Sequence, residues 1–175
     1  LTVWRRQSEG EWRIVLDHGV DHPADLEPPV ALARAFAALE ASGPRGCAPE
    51  EAAGVLPAAE AKMNRVIVRR GRTEALHRRS VAGAVVFRDD VPPAQWNERW
   101  PPADDVVGEG GDATSDGTIA VARSDLAISY GSLRDRHRSG DAPADFLYVR
   151  VWRWTDDGWR VGIDVQTPLP ADGAP

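Results

Sequence analysis

The chain has 175 residues, 42% of them hydrophobic and 27% charged, and carries a net charge of −6 at pH 7. These globular proportions exclude wholesale disorder, and the acidic balance speaks against a dedicated nucleic-acid binder. No apolar run approaches the roughly 18–20 residues that span a bilayer, and the lone Cys47 excludes an internal disulfide framework or a cysteine-rich zinc site.

In chain order, the first element is a tryptophan-bearing hairpin that recurs at the other end of the sequence. Residues 3–17 read VWRRQSEGEWRIVLD and residues 151–164 read VWRWTDDGWRVGID. With one gap, Val3-Trp4-Arg5 matches Val151-Trp152-Arg153, Gly10 matches Gly158, Trp12-Arg13 matches Trp159-Arg160, and Asp17 matches Asp164. The spacing is that of a whole domain, longer than the repeats of solenoids or propellers. It predicts that residues 1–28 are the C-terminal hairpin of a preceding copy and 29–48 a linker with a helix. Residues 49–170 would then be an intact domain and 171–175 a tail. A start at Leu1, already in a strand pattern, fits a truncated chain, which leaves compartment open.

Leu32, Phe36 and Leu39 recur at helical spacing until Gly43-Pro44. Pro49-Glu50-Glu51 resembles a first helical turn, and Pro57 is expected to open the main helix. Ala59, Met63, Val66, Ile67 and Arg70 share a face of that helix, Gly71 ends it, and Thr73 can cap a short helix that closes near Arg78-Arg79. Ala84–Phe87 reads as a short strand broken by Pro92-Pro93, and residues 101–117 as an acidic, glycine-rich loop. Residues 118–123 and 126–130 alternate as strands, and Phe146–Trp154 returns through an Asp-Gly turn to Trp159–Val165. Helices followed by antiparallel strands predict an α+β fold, a curved sheet packed on N-terminal helices and preceded by the hairpin of an upstream copy.

Strict alternation puts Leu147, Val149 and Val151 on one face of the long strand, and Phe146, Tyr148, Arg150, Trp152 and Trp154 on the other. On the return strand it puts Trp159, Val161, Ile163 and Val165 together. The valine face is expected to pack on the main helix. The aromatic–arginine face is then a pocket wall, a surface for a partner sheet, or plain core packing.

The segments SDLAISYG (residues 124–131), Tyr148-Val-Arg-Val-Trp152 and Asp156-Asp-Gly-Trp-Arg160 resemble the nuclear transport factor 2-like superfamily. More narrowly they resemble its bacterial SnoaL-like branch of unknown function, over roughly residues 50–170. The resemblance implies a cone of helices closing a bent sheet around a cavity, usually with sheet-to-sheet dimers. Members include ketosteroid isomerase, scytalone dehydratase, limonene epoxide hydrolase and polyketide cyclases, beside many proteins without known activity, so the fold does not transfer a reaction.

None of those catalytic constellations matches here residue by residue. The expected function is a small apolar ligand-binding or interaction/scaffold module, with Tyr130, Phe146, Tyr148, Arg150 and Trp152 lining the site. The alternative is an isomerase-, dehydratase- or cyclase-type enzyme with His77, Tyr130 or Tyr148 as acid–base groups. Expected partners are a small apolar molecule and a twin domain or homodimer through the sheet, with no nucleic acid and no membrane. No cofactor or metal is expected: Asp17-His18-Gly-Val-Asp21-His22 follows a strand instead of converging on a helix. The glycine–aspartate run at 108–117 lacks spaced calcium ligands. The arginines at 65, 69, 70, 72, 78 and 79 read as exposed helix faces before they read as a phosphate-binding stripe.

Overall fold

The computed structural model describes residues 1–21, 49–89, 91–96, 112–120, 125–135 and 144–169. The helix expected around Leu32–Leu39, Cys47, most of the 101–117 loop and the tail lie outside the described residues. The elements are β1 (Thr2–Arg6), β2 (Trp12–Asp17), α1 (Pro49–Arg70), α2 (Arg72–Arg79), β3 (Ser80–Arg88), β4 (Val91–Gln95), β5 (Asp112–Ala120), β6 (Leu126–Asp135), β7 (Ala144–Thr155) and β8 (Gly158–Pro168). β1 and β2 form a two-stranded ribbon, and the rest form a six-stranded sheet in the order β4-β3-β8-β7-β6-β5. All its pairings are antiparallel except β3 with β8, which is parallel.

α1 is one continuous 22-residue helix with Pro57 inside it, so the expectation that Pro57 starts the helix is corrected. Proline deletes one backbone donor, and the apolar stripe of Leu56, Met63 and Ile67 against the sheet outweighs that loss. The helix ends where Gly71, at φ +88°, turns the chain while its N–H reaches the Ile67 carbonyl at 2.9 Å. Two further expectations are corrected at the sheet edges. Pro92 and Pro93 lie within β4, and Asp112–Gly117 begins β5, where a loop was expected. β4 and β5 are the two edge strands, and an edge tolerates proline, glycine and acid because one side of its backbone needs no partner.

The alternation of β7 holds, but the face that packs on α1 is the aromatic–arginine face and not the expected valine face. Tyr148, Arg150 and Trp152 look toward α1, whereas Val149 and Val151 look away from it. A bulge causes a second correction, in β8. Trp152 pairs with Val161 and Val151 with Ile163, so Gly162 is an extra residue and the alternation of β8 flips there. Trp159 and Val161 therefore stay on the helix side, while Ile163 and Val165 move to the opposite face. Asp164 and Gln166, directly across from Arg150 and Tyr148, come inside.

The outer face carries Ile128, Val149, Ile163 and Val165, and the β1–β2 ribbon lies on it through Val3 and Leu16, with Val20 from the segment after β2 packed beside them. Polar contacts fasten the edge of this junction. The Asp21 N–H donates to Asp89 Oδ1 at 3.1 Å, and His18 Nε2 lies 3.0 Å from Thr167 Oγ1. Half-burial, and after it the nearby N-terminal ammonium, hold the His18 imidazole below its ordinary value of 6.5, against the opposing pull of Asp89 and Asp17.

On the helix side Gly131 faces Tyr148 across β6 and β7. A Cβ there would overlap the Thr114 carbonyl oxygen and approach Tyr148 Oη to 2.7 Å. Gly131→Ala is therefore expected to cost about 2–3 kcal/mol of overpacking in urea denaturation. The control Gly54→Ala, with open space around it in α1, should be neutral or stabilising by up to about 1 kcal/mol.

Candidate functional site

The helix-covered face holds a cluster of charge built around the aromatic–arginine face, for which the sequence left a pocket wall, a partner-sheet surface and core packing open. α1 carries Leu56, Met63 and Ile67 inward, and on the same face it carries Glu60 and Asn64, one helical turn apart. β7 supplies Tyr148, Arg150 and Trp152, β6 supplies Ser129, the bulge in β8 delivers Asp164 and Gln166, and β3 contributes Arg88.

Arg150 is 0% exposed and stands at the centre. Its Nη1 donates to Glu60 Oε1 and to Asn64 Oδ1, each at 2.7 Å, and its Nε donates to Asp164 Oδ1 at 3.1 Å. The guanidinium also lies over the Tyr148 ring, 3.9 Å from its centroid, a cation–π contact strengthened by the burial of both side chains. Glu60 further accepts from the Tyr148 hydroxyl and from Ser129 Oγ, both at 2.6 Å, while Trp152 Nε1–H donates to that serine oxygen at 2.8 Å. Asp164 Oδ2 accepts from Arg88 Nη2 at 2.6 Å and from Gln166 Nε2 at 2.9 Å. Two carboxylates and two guanidiniums thus balance to zero net charge. That balance is the condition under which ions survive burial, since desolvating each one alone costs several kcal/mol.

The protonation states follow from this packing. Burial works against the Asp164 anion, but Arg88 and Arg150 outweigh it and hold the carboxyl below its ordinary value. Burial likewise opposes the Arg150 cation, and Glu60 and Asp164 overcome it, so the guanidinium is held more firmly charged than usual. Tyr148 is pushed upward, chiefly by desolvation, with Glu60 adding to the shift and Arg150 opposing it. Its phenol stays neutral, a hydrogen-bond donor to Glu60.

Of the expected site residues, Tyr148, Arg150 and Trp152 meet on this face. Phe146 shares it, partly buried, with the Arg72 guanidinium 4.2 Å above its ring. Tyr130 is on the opposite face, packed with the outer cluster over Gly117, and His77 is exposed on α2. The three acid–base candidates therefore do not converge. Glu60, Asn64, Ser129, Arg88, Asp164 and Gln166 escaped the sequence reading. A carboxylate and an amide inside the apolar stripe of α1 were the available signal for the first two. The bulge hid Asp164 and Gln166.

The cluster is not open to solvent, but it borders a groove. A space of about 620 Å³ runs between α1 and β5, with Asn64 in its lining, Arg65 and Arg69 along the helix, and Ser115 and Asp116 on the strand. Asn64 thus belongs both to the groove and to the buried network, where its Nδ2 donates to Tyr148 Oη at 3.2 Å. Of the arginine run, Arg72 is buried, Arg70 and Arg78 pair with Glu74, and Arg65 and Arg69 line the groove.

No protein-family model matches the sequence, and no curated protein matches it. Solved structures do. An NTF2-like family protein of Streptomyces avermitilis, named for a suspected dehydratase activity, superposes with TM-score 0.56 at 14% identity, over 70% of this chain and 99% of its own. A ketosteroid isomerase-like protein of Erwinia carotovora atroseptica gives 0.52 at 12% identity, over 67% and 96%. A domain of unknown function with a cystatin-like fold from Nostoc punctiforme gives 0.52 at 16%, over 70% and 80%. The fold is therefore that of the nuclear transport factor 2-like proteins, and likeness at this identity carries the fold alone.

The linkage of Asp164 gives a pH dependence with a definite sign. A carboxyl whose folded value is depressed contributes stability that is complete above its unfolded value and is lost as pH falls through the folded one. Urea unfolding should hence lose stability steeply below about pH 4. Asp164→Asn should be less stable at pH 7 and show a shallower slope in that acid window.

Proposed function

We propose that this nuclear transport factor 2-like domain is an interaction or scaffold module that uses the outer face of its sheet as a docking platform. The observation that carries the reading is the occupation of its interior. Tyr148, Arg150, Trp152, Glu60 and Asp164 are all buried and bond to one another through the Arg150 Nη1 and Nε, the Tyr148 hydroxyl and Ser129, although Arg150 Nη2 is left without a partner among the described residues. A small apolar ligand would have to displace a balanced set of four charges, which costs more than its own burial returns. The outer face, in contrast, offers Phe87, Val149, Ile163 and Val165 as a continuous apolar surface, and the β1–β2 ribbon lies on it.

Under this reading residues 1–28 and 49–170 are separable pieces, and the ribbon stands where the family resemblance implies a partner sheet. A two-stranded ribbon is marginally stable alone in water, so its order here derives from that docking. The twin unit or homodimer through the sheet is the partner class that follows.

A second reading keeps one observation in its favour. The Tyr148 hydroxyl donates to Glu60 beside Asn64, and Asn64 lines a groove open to solvent. An isomerase-, dehydratase- or cyclase-type reaction would need that pair to meet a substrate through the groove. The burial of Tyr148 and Glu60 favours the interaction module over it.

Deletion of residues 1–28 tests the proposal. The remaining chain should unfold cooperatively and, with its outer face uncovered, sediment as a dimer at concentrations of about 10–100 μM. A truncated chain that stays monomeric throughout that range, or that loses cooperative unfolding, contradicts the docking role.

A further inference from the structure

The two tryptophan ribbons agree in more than sequence. In β1–β2 the pairs are Val3 with Leu16, Trp4 with Ile14, Arg5 with Arg13 and Arg6 with Trp12, and Val15 is left over as a bulge. In β7–β8 the pairs are Val151 with Ile163, Trp152 with Val161, Arg153 with Arg160 and Trp154 with Trp159, and Gly162 is left over. Register, bulge position and the order of residues coincide. Each turn also carries a glycine at positive φ, +91° at Gly10 and +87° at Gly158. The cross-strand pair one step beyond the bulge corresponds as well, Thr2 with Asp17 in place of Arg150 with Asp164.

Their surroundings differ on one face only. Val3 and Leu16 lie against the outer sheet face. The other face of β1–β2 is half-exposed, with Trp4 52%, Ile14 52% and Trp12 62% exposed. Their counterparts Trp152, Val161 and Trp159 are 0%, 0% and 6% exposed, because Leu56, Met63 and Ile67 of α1 lie in the same cluster. A bulge reverses the side-chain alternation of a strand and is kept where it re-aims a side chain. In β7–β8 it aims Asp164 and Gln166 at the helix side. The same bulge in β1–β2 aims Asp17 to the side of Trp4 and Ile14, which meets nothing comparable among the described residues.

We propose that the Trp4–Ile14–Trp12 face of β1–β2 is the inner wall of a second unit of this fold, and that it takes a helix equivalent to α1 supplied by that unit. The helix stands to β1–β2 as α1 stands to β7–β8, presenting large apolar residues at the positions of Leu56, Met63 and Ile67. Thr2, in the place of Arg150, supplies no cation and already donates its Oγ1 hydrogen to Asp17 at 2.8 Å. The incoming helix consequently has no arginine to match at the position of Glu60 and carries a neutral residue there. The ribbon then joins two units, closing one sheet with its tryptophan face and covering the outer sheet of the other with Val3 and Leu16. The proposal concerns the opposite side of the ribbon from the sheet docking proposed above, and it holds or fails separately.

The test tethers a helix to the full chain. Residues 49–70 bearing Glu60→Gln are joined ahead of Leu1 through a flexible glycine–serine linker, which gives an effective concentration in the millimolar range. Solvent exchange of the indole N–H groups of Trp4 and Trp12 is followed by NMR. It is expected to slow at least about tenfold relative to the untethered chain, with the indole of Trp152 unchanged. A tethered helix of the same composition in scrambled order should leave Trp4 and Trp12 as they were. Unaltered exchange with the native-order helix, equal protection by the scrambled one, or changes confined to Trp152 would each overturn the proposal.

Discussion

The guanidinium of Arg150, buried between Glu60 and Asp164, is the interaction on which the rest of the molecule depends. It engages three elements through side chains that have no other means of leaving water: α1 through Glu60 and Asn64, β8 through Asp164, and its own β7 through the Tyr148 ring. Arg88 extends the set to β3, which forms the parallel pair with β8. Each ion alone would be strongly destabilising inside the protein; together they balance in charge, and the directionality of their hydrogen bonds fixes helix and strands in one arrangement. Nonspecific apolar packing of Leu56, Met63 and Ile67 would leave the helix freer to slide along the sheet.

That constraint has a functional consequence. Under the proposed interaction role, a space filled by charge in mutual contact is a poor host for an apolar guest, and recognition falls to the surfaces. One is the outer sheet face, occupied by the ribbon. The other is the groove beside α1, which touches the network through Asn64 alone among the network residues. The fold of the neighbours, some named for isomerase or dehydratase activities and others of unknown function, is compatible with either surface, because a shared fold does not carry a shared function.

Much of the architecture was legible in the sequence. The order of helices and strands, the Asp-Gly turn and the likeness of the two tryptophan ribbons rest on local chemistry, which survives folding unchanged. What misled was the assumption of unbroken alternation. One extra residue at Gly162 reverses the facing of everything after it in β8, and the sequence hides it because apolar and polar residues alternate without a break from Trp159 to Gln166. Pro92-Pro93 and the acidic start of β5 read as breaks because edge position, which makes them tolerable, is a property of the sheet and not of the segment. The candidate site was half visible. Tyr148, Arg150 and Trp152 announced themselves as an aromatic–cationic face, whereas Glu60 is one carboxylate among many until α1 is seen to turn it inward.

A double-mutant cycle between Glu60 and Arg150 reaches the centre of this account most directly. Urea unfolding of Glu60→Gln, Arg150→Gln and the double variant gives the coupling between the two side chains free of their separate effects. A buried pair that organises the interior predicts a coupling of at least about 2 kcal/mol, with the double variant more stable than the sum of the single losses implies. A coupling below about 0.5 kcal/mol, the range of exposed pairs, would mean that the two ions are not held together away from water, and the closed interior would fall with it.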